Sequence, residues 1–305
     1  MNRFDSLKQN GQGFGPVRFV LGTQIRATFM RRLYLYIIIA LATCSAGASC
    51  SRPYTFVQMS DPQIGFLDTS ARYAGTDSLM RRAMEMVNGI GPMAVFITGD
   101  LVNRPSDIRQ DSIYRVRKAQ IRALVWEVPG NHDVLSDNDV SGATSASFVD
   151  RIGAYRDRRG YDRFSFRERG DAFIGIDSNC IKEADGEGEE EQFEWLRAQL
   201  SMAAGARHIF VFLHCPIIRE RIDEPEDYFN FPVDKRRRYI DLFKDAGVTA
   251  VFAGHTHKAY SCSYDGIAFY TAGPVGMPLD GGESGFNVVR VGRDGVSVEF
   301  VPTGR

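Results

Sequence analysis

Five short segments carry the residue types that bind divalent cations: Asp61-Pro62-Gln63, Gly99-Asp100, Gly130-Asn131-His132-Asp133, His214 and Gly254-His255-Thr256-His257. Aspartate, asparagine and histidine gathered in one place can share a pair of ions, which is the equipment for two-metal hydrolysis of a phosphate ester. Such a centre needs one ligand that reaches both ions, and a carboxylate suits because its two oxygens can face different cations. Asp100 is the candidate bridge, and the glycine before it lets the chain turn tightly. Asp61 is expected to serve one ion, joined by His257. Asn131 offers a neutral oxygen to the other, with His214 and His255 as imidazole ligands. Carboxylate and imidazole together suit manganese, iron or zinc better than calcium.

The elements that must position these groups are legible in the hydrophobic pattern. Each segment follows a short apolar run, at 55–59, 93–98, 124–128, 208–213 and 248–253, that reads as a buried strand. A strand that stops at a ligand delivers it to the carboxyl edge of a sheet, where open α/β folds build their sites. Apolar residues recur at helical spacing over 77–90, 111–123, 147–159, 192–203 and 233–246. Strands alternating with helices up to residue 252 predict a sheet covered on both faces. Beyond it, strand candidates at 260–264, 267–271, 287–291 and 296–301 are punctuated by Asp265-Gly266 and Asp294-Gly295, both hairpin signals. A second sheet packed on the first is expected from them. The loops at 134–146, 182–191 and 219–232 are long and polar enough to shape access to the site.

A formal net charge of −1, with charged residues at 25%, is that of an ordinary globular chain and gives no field to steer a nucleic acid polymer. The one basic run, Lys235-Arg236-Arg237-Arg238, reads as a solvated helix face. Cys180, Cys215 and Cys262 are too few and too odd in number for a disulfide framework, and Cys215 reads as a small buried residue rather than a nucleophile. The start of the chain is different in kind. Met30-Arg31-Arg32 precedes an apolar stretch over 33–42 and a small-residue end at Cys50, the pattern of a bacterial export signal. That stretch is about half of the roughly 20 residues a membrane-spanning helix needs. The expected organisation is an upstream extension over 1–29 that precedes the true start at Met30, a signal over 30–50, and one large domain over 53–305. Cys44 and Cys50 are the candidates for lipid anchorage, with ordinary cleavage after Ala48 as the third option. An exported protein, periplasmic or on the cell surface, is implied.

In this order the motifs resemble those of the calcineurin-like metallophosphoesterases: Asp-x-His, Gly-Asp, Gly-Asn-His-(Asp/Glu), a lone His and Gly-His-x-His. The resemblance spans about 54–275. It implies a four-layer α/β/β/α sandwich of two mixed sheets, with a dinuclear metal site at the strand ends held by Asp61, Gln63, Asp100, Asn131, His214, His255 and His257. It also implies that His132 approaches the leaving oxygen instead of a metal. Two departures matter. The family's first histidine is Gln63 here, a weaker neutral ligand. The Asp-Pro-Gln form, with Asp227-Tyr228-Phe229-Asn230, is similar to the branch that includes the calcineurin-like phosphoesterase-domain serine/threonine phosphatases. In protein serine/threonine phosphatases an aspartate pairs with the catalytic histidine. Asn103 stands there in this chain, so Asp133 or solvent is expected to assist His132. Arg104 falls where those phosphatases place a phosphate-contacting arginine.

The implied reaction is attack on phosphorus by a metal-bridging hydroxide, with His132 as proton donor and no nucleophilic side chain. Phosphate monoesters, small or on protein, are the expected substrates. The alternatives are a phosphodiesterase or nucleotide hydrolase of the same fold, and a non-catalytic envelope-anchored binding protein that kept the fold. Gln63 and Asn103 speak for the last of these, and the joint presence of seven ligand-type residues speaks against it.

Overall fold

Two mixed sheets face each other in the computed structural model, which describes residues 52–134, 147–182, 188–279, 281–293 and 295–304. The expected signal, with Cys44 and Cys50, lies outside the described residues. So do most of the loop after His132 and residues 183–187 of the acidic loop. In chain order the strands are β1 (Tyr54–Met59), β2 (Ala94–Thr98), β3 (Leu124–Val128), β4 (Phe164–Glu168), β5 (Asp171–Gly175), β6 (Ile209–Phe212), β7 (Ala250–Ala253), β8 (Tyr260–Tyr264), β9 (Ile267–Thr271), β10 (Gly285–Val291) and β11 (Val296–Pro302). The first sheet runs β11-β10-β1-β2-β3 and the second β4-β5-β6-β7-β9-β8. Strands β1 to β3 are parallel to one another, as are β5, β6, β7 and β9, with antiparallel strands only toward the edges.

Period-2 alternation sorts the side chains into two layers. Phe56, Phe96, Phe164, Phe173, Phe210, Phe212 and Phe252 meet in the seam between the sheets, where Phe96 stacks on Phe212 with centroids 4.0 Å apart. Their strand neighbours Val57, Val95, Ile97, Ile174, Val211 and Val251 point the other way. These join an apolar cluster with helix residues such as Met80, Val87, Leu196 and Phe243. The outer layers contain the helices Ala74–Ile90, Ile108–Lys118, Phe148–Arg159, Glu189–Met202 and Val233–Ala246. Local chemistry fixes several of their ends. The Asp107 carboxylate accepts from the Arg109 and Gln110 amides, and Ser147 Oγ accepts from the Asp150 amide. The result is an α/β/β/α sandwich.

Four readings change. The C-terminal strands do not make a sheet of their own: β8 and β9 extend the second sheet while β10 and β11 extend the first, through antiparallel pairing of β10 with β1. Strands β4 and β5, joined through Arg169-Gly170, are additional and form one edge of the second sheet. Glu189, Glu190 and Glu191 are not loop but the first turn of a helix, where negative charge opposes the helix dipole favourably. Arg236 is not on a solvated face. It is fully buried, and its guanidinium donates to the carbonyls of Phe231, Ile222 and Glu224. Cys215 is buried as read.

Candidate metal centre

The carboxyl ends of β1, β2, β3, β6 and β7 converge, and each ends at one of the five motifs. A polar tie beneath holds the two sheets in register. Gln58 Nε2 donates to Thr98 Oγ1 and to the Ala253 carbonyl, and its Oε1 accepts from Asn287 Nδ2. Close packing above requires glycine. A Cβ on Gly130 would overlap the main-chain nitrogen and carboxylate of Asp100, and one on Gly254 would overlap Ser60 Oγ. Asp61, Gln63, Asp100, His255 and His257 all adopt positive φ, between 33° and 71°. Non-glycine residues rarely do so, and five of them in one cluster indicate a geometry imposed by the site against local preference.

Two clusters of ligand atoms result, Asp100 with His214 and His255, and Asp61 with Asp100 and His257, each with its atoms within 4.8 Å of one another. Asp100 belongs to both. Its Oδ1 accepts the His132 main-chain amide at 2.8 Å, and its Oδ2 lies 3.4 Å from His214 Nε2. Asn131 Oδ1 stands 3.0 Å from the same nitrogen. Asp61 accepts the His255 amide and lies 3.7 Å from His257 Nε2. Gln63 is buried, its amide N–H donates to the Asp100 carbonyl at 2.8 Å, and its Oε1 has no hydrogen-bond partner.

The tautomers follow from the neighbours. A carbonyl only accepts, so a ring nitrogen held against one carries the hydrogen. His214 Nδ1 faces the Thr98 carbonyl at 2.8 Å, His257 Nδ1 that of Met277 at 2.7 Å, His255 Nε2 that of Tyr228 at 3.0 Å and His132 Nδ1 that of Asn103 at 3.1 Å. The opposite nitrogen of each ring is left to face other partners, His214 Nε2 the oxygens of Asp100 and Asn131 and His257 Nε2 that of Asp61. Metal-binding imidazoles are oriented in this way.

Burial and mutual charge shift Asp100, Asp61, His214 and His255. Burial opposes ionisation of Asp100, yet His214 outweighs it and holds the carboxyl well below its usual range. Burial raises Asp61. His214 is disfavoured as a cation by burial, but Asp100 and Asp61 push it up to about 10. Burial and the charge of His214 bring His255 down to about 3. Two buried carboxylates, an orphaned amide oxygen and convergent imidazole nitrogens make a donor set that fits divalent metal ions.

Every motif residue read from the sequence lies at or beside this centre, though three occupy other positions than expected. Asp133 does not assist His132. Its buried carboxylate accepts the amides of Leu101, Val102 and Gly130, tying the Asp100 and Asn131 turns together. Asn103 reaches His132 through its main-chain carbonyl, 3.1 Å from Nδ1, and not through its side chain. The Arg104 side chain is exposed, while its main-chain amide donates to Gln110 Oε1 and its carbonyl accepts from the Asp107 amide. Sequence reasoning missed Gln58 and Tyr228. Tyr228 was visible only as part of the Asp227–Asn230 pattern, with no role attached.

Residues 54–259 match the family described as calcineurin-like phosphoesterase. The chain is 31% identical over 264 residues to serine/threonine-protein phosphatase CPPED1 of Danio rerio, covering 79% of this chain and 82% of that one. It is 25% identical over 235 residues to a probable cyclic nucleotide phosphodiesterase of Rhodococcus erythropolis, covering 72% and 73%. The crystal structure of a dimetal phosphatase from Danio rerio shares the fold, with a TM-score of 0.59 at 15% identity over 82% of this chain and 96% of that one. The chain belongs to the calcineurin-like phosphoesterase family, and it is a metal-dependent hydrolase of phosphoric ester bonds.

Proposed function

We propose that the centre holds two divalent ions, manganese, iron or zinc, and that the enzyme hydrolyses phosphate monoesters. The observation that carries this reading is the membership of Asp100 in both ligand clusters. Asp61, Gln63 and His257 would complete one site, and Asn131, His214 and His255 the other. The ions, when bound, lower the pKa of water toward neutrality and offset the charge of the phosphoryl group. His132 keeps its Nδ1–H on the Asn103 carbonyl, so the proton exchanged with the leaving oxygen is carried on Nε2. Its main-chain amide on Asp100 ties the acid to the carboxylate shared by both clusters.

Small phosphorylated molecules and phosphoproteins both fit this reading. The phosphatase name of the relative from Danio rerio supports monoesters, whereas the Rhodococcus relative supports a diester reading. Export, with lipid attachment at Cys44 or Cys50, belongs to the same proposal and rests on the sequence over 30–50 alone. The test compares p-nitrophenyl phosphate with bis-p-nitrophenyl phosphate in manganese, for wild type, Asp100→Asn, His255→Ala and His132→Ala. Expected are preference for the monoester, loss of turnover with loss of metal in the first two variants, and slower turnover with metal retained in the third. Wild-type rates in metal-loaded Asp100→Asn, or faster cleavage of the diester, would overturn it.

A further inference from the structure

Tyr228 touches two ligands of one cluster by three separate means. Its hydroxyl oxygen accepts from Asn131 Nδ2 at 2.8 Å, which aims the other end of the amide, Oδ1, at His214. Its main-chain carbonyl accepts from His255 Nε2, which leaves the lone pair on Nδ1. Its ring packs against the His255 imidazole with centroids 4.7 Å apart. Among the described residues its hydrogen bonds and ring contacts go to Asn131, His255 and Phe229, on one side of the centre.

The loop that presents it is held from beneath. Buried Arg236 binds the carbonyls of Ile222, Glu224 and Phe231 on either side of Tyr228. Lys182 Nζ donates to the carbonyls of Asp227 and Asn230, and Asn230 Nδ2 donates to Glu224 and Pro225. A residue 58% exposed is therefore fixed in place by a buried framework, while its polar atoms face inward. Holding Nδ2 on the Tyr228 hydroxyl turns Oδ1, the only end of the amide that can serve a cation, toward the site before an ion arrives.

We propose that Tyr228 is a positioning residue for one metal site only, the one formed by Asn131, His214 and His255 with Asp100. The inference rests on the two-ion reading above and adds an asymmetry between the sites. Loss of a partner that orients a metal ligand typically weakens affinity by about 10- to 100-fold. Tyr228→Phe removes only the hydroxyl and keeps ring and carbonyl. Its exposure makes the substitution compatible with folding, and thermal unfolding of the variant checks this.

The experiment is titration of chelator-stripped protein with cobalt(II), read by visible absorption, without substrate. Tyr228→Phe is placed in wild type, in His257→Ala, where the Asn131–His214–His255 side alone keeps its full ligand set, and in His214→Ala, where the other side does. The expected result is affinity weakened about 10-fold in wild type and His257→Ala, and unchanged in His214→Ala. Equal weakening in both single-site backgrounds would reveal a general structural effect and overturn the proposal. So would an unchanged affinity in His257→Ala. Wild type that takes up no cobalt would overturn the two-ion reading and this inference with it. Wild type that takes up two ions but shows no effect of Tyr228→Phe would overturn this inference alone.

Discussion

Replacing Gln63 by methionine should stabilise the metal-free protein and weaken the metal-bound one. The side chain is 1% exposed, and its Oε1 has no hydrogen-bond partner. An unpaired buried amide oxygen costs about 1–3 kcal/mol relative to a paired or solvated one. Methionine keeps the unbranched length and removes the polar atom, so the metal-free form should recover that cost. The backbone has no reason to move, since the Gln63 main-chain amide stays on the Asp100 carbonyl. For a domain of this size each kcal/mol shifts Tm by roughly 2–4 °C, giving a rise of about 2–12 °C in chelator. With ions present the sign reverses, because a ligand has gone. A tenfold loss of affinity removes about 1.4 kcal/mol of ligand-linked stability once the ion is in excess. Differential scanning calorimetry in chelator and in excess manganese reads both quantities on the same samples. A fall in Tm in chelator would refute the reasoning, since it would mean that the amide serves the apo structure. An unchanged manganese increment would refute the assignment of Oε1 as a ligand.

Three other outcomes follow from the same coordinates. Gly130→Ala forces a Cβ against the Asp100 main chain, which no rotamer relieves, so metal uptake by dialysis should be lost along with about 1–3 kcal/mol of stability. Phe56→Ala should cost about 3–5 kcal/mol in denaturant melts while leaving metal stoichiometry at its wild-type value, because Phe56 is fully buried in the seam against five phenylalanine rings. Burial pushes the Asp177 carboxyl up to about 7, so the native state holds a proton that the unfolded chain releases near pH 4. Stability supplied by that proton is lost as pH rises from about 4 through 7, and Asp177→Asn should remove this dependence. Comparing the two proteins at about pH 5 and about pH 8, the variant should gain on wild type at the higher pH by at most about 3 kcal/mol, and parallel curves would reject the assignment.

The site was legible where its signal is local. A strand that ends at a ligand is written in consecutive residues, and the runs ending near Asp61, Asp100, Asn131, His214 and His255 all became strands entering one edge. Pairing partners are not local. The pattern over 285–302 announces two strands but not that Thr55 lies opposite Arg290, because that choice depends on which apolar faces remain to be covered after the rest has folded. Arg236 was misread for a related reason. A basic run suggests solvent, but the carbonyls that surround its guanidinium come from a loop whose path the sequence does not state.

The least legible part of the centre is the part that orients it. Each of the four histidines at the site is held by a main-chain carbonyl, from Thr98, Asn103, Tyr228 and Met277, and a carbonyl is present whatever the side chain. This changes the meaning of the departure at position 103. Read as a side chain, Asn103 is a lost carboxylate and an argument for an inactive site. Read as backbone, it already supplies what His132 requires, a fixed acceptor on Nδ1 that leaves Nε2 free to carry the proton. The carbonyls of Asn103 and Met277 do this whatever side chain stands behind them, whereas the buried Thr98 hydroxyl is also engaged, by Gln58 and the Met59 carbonyl. The chemistry depends instead on the ligands, on the glycines that let Asp100 and Asp61 approach their neighbours, and on side-chain supports such as the Asp133 carboxylate on the Leu101, Val102 and Gly130 amides and the Tyr228 hydroxyl on Asn131.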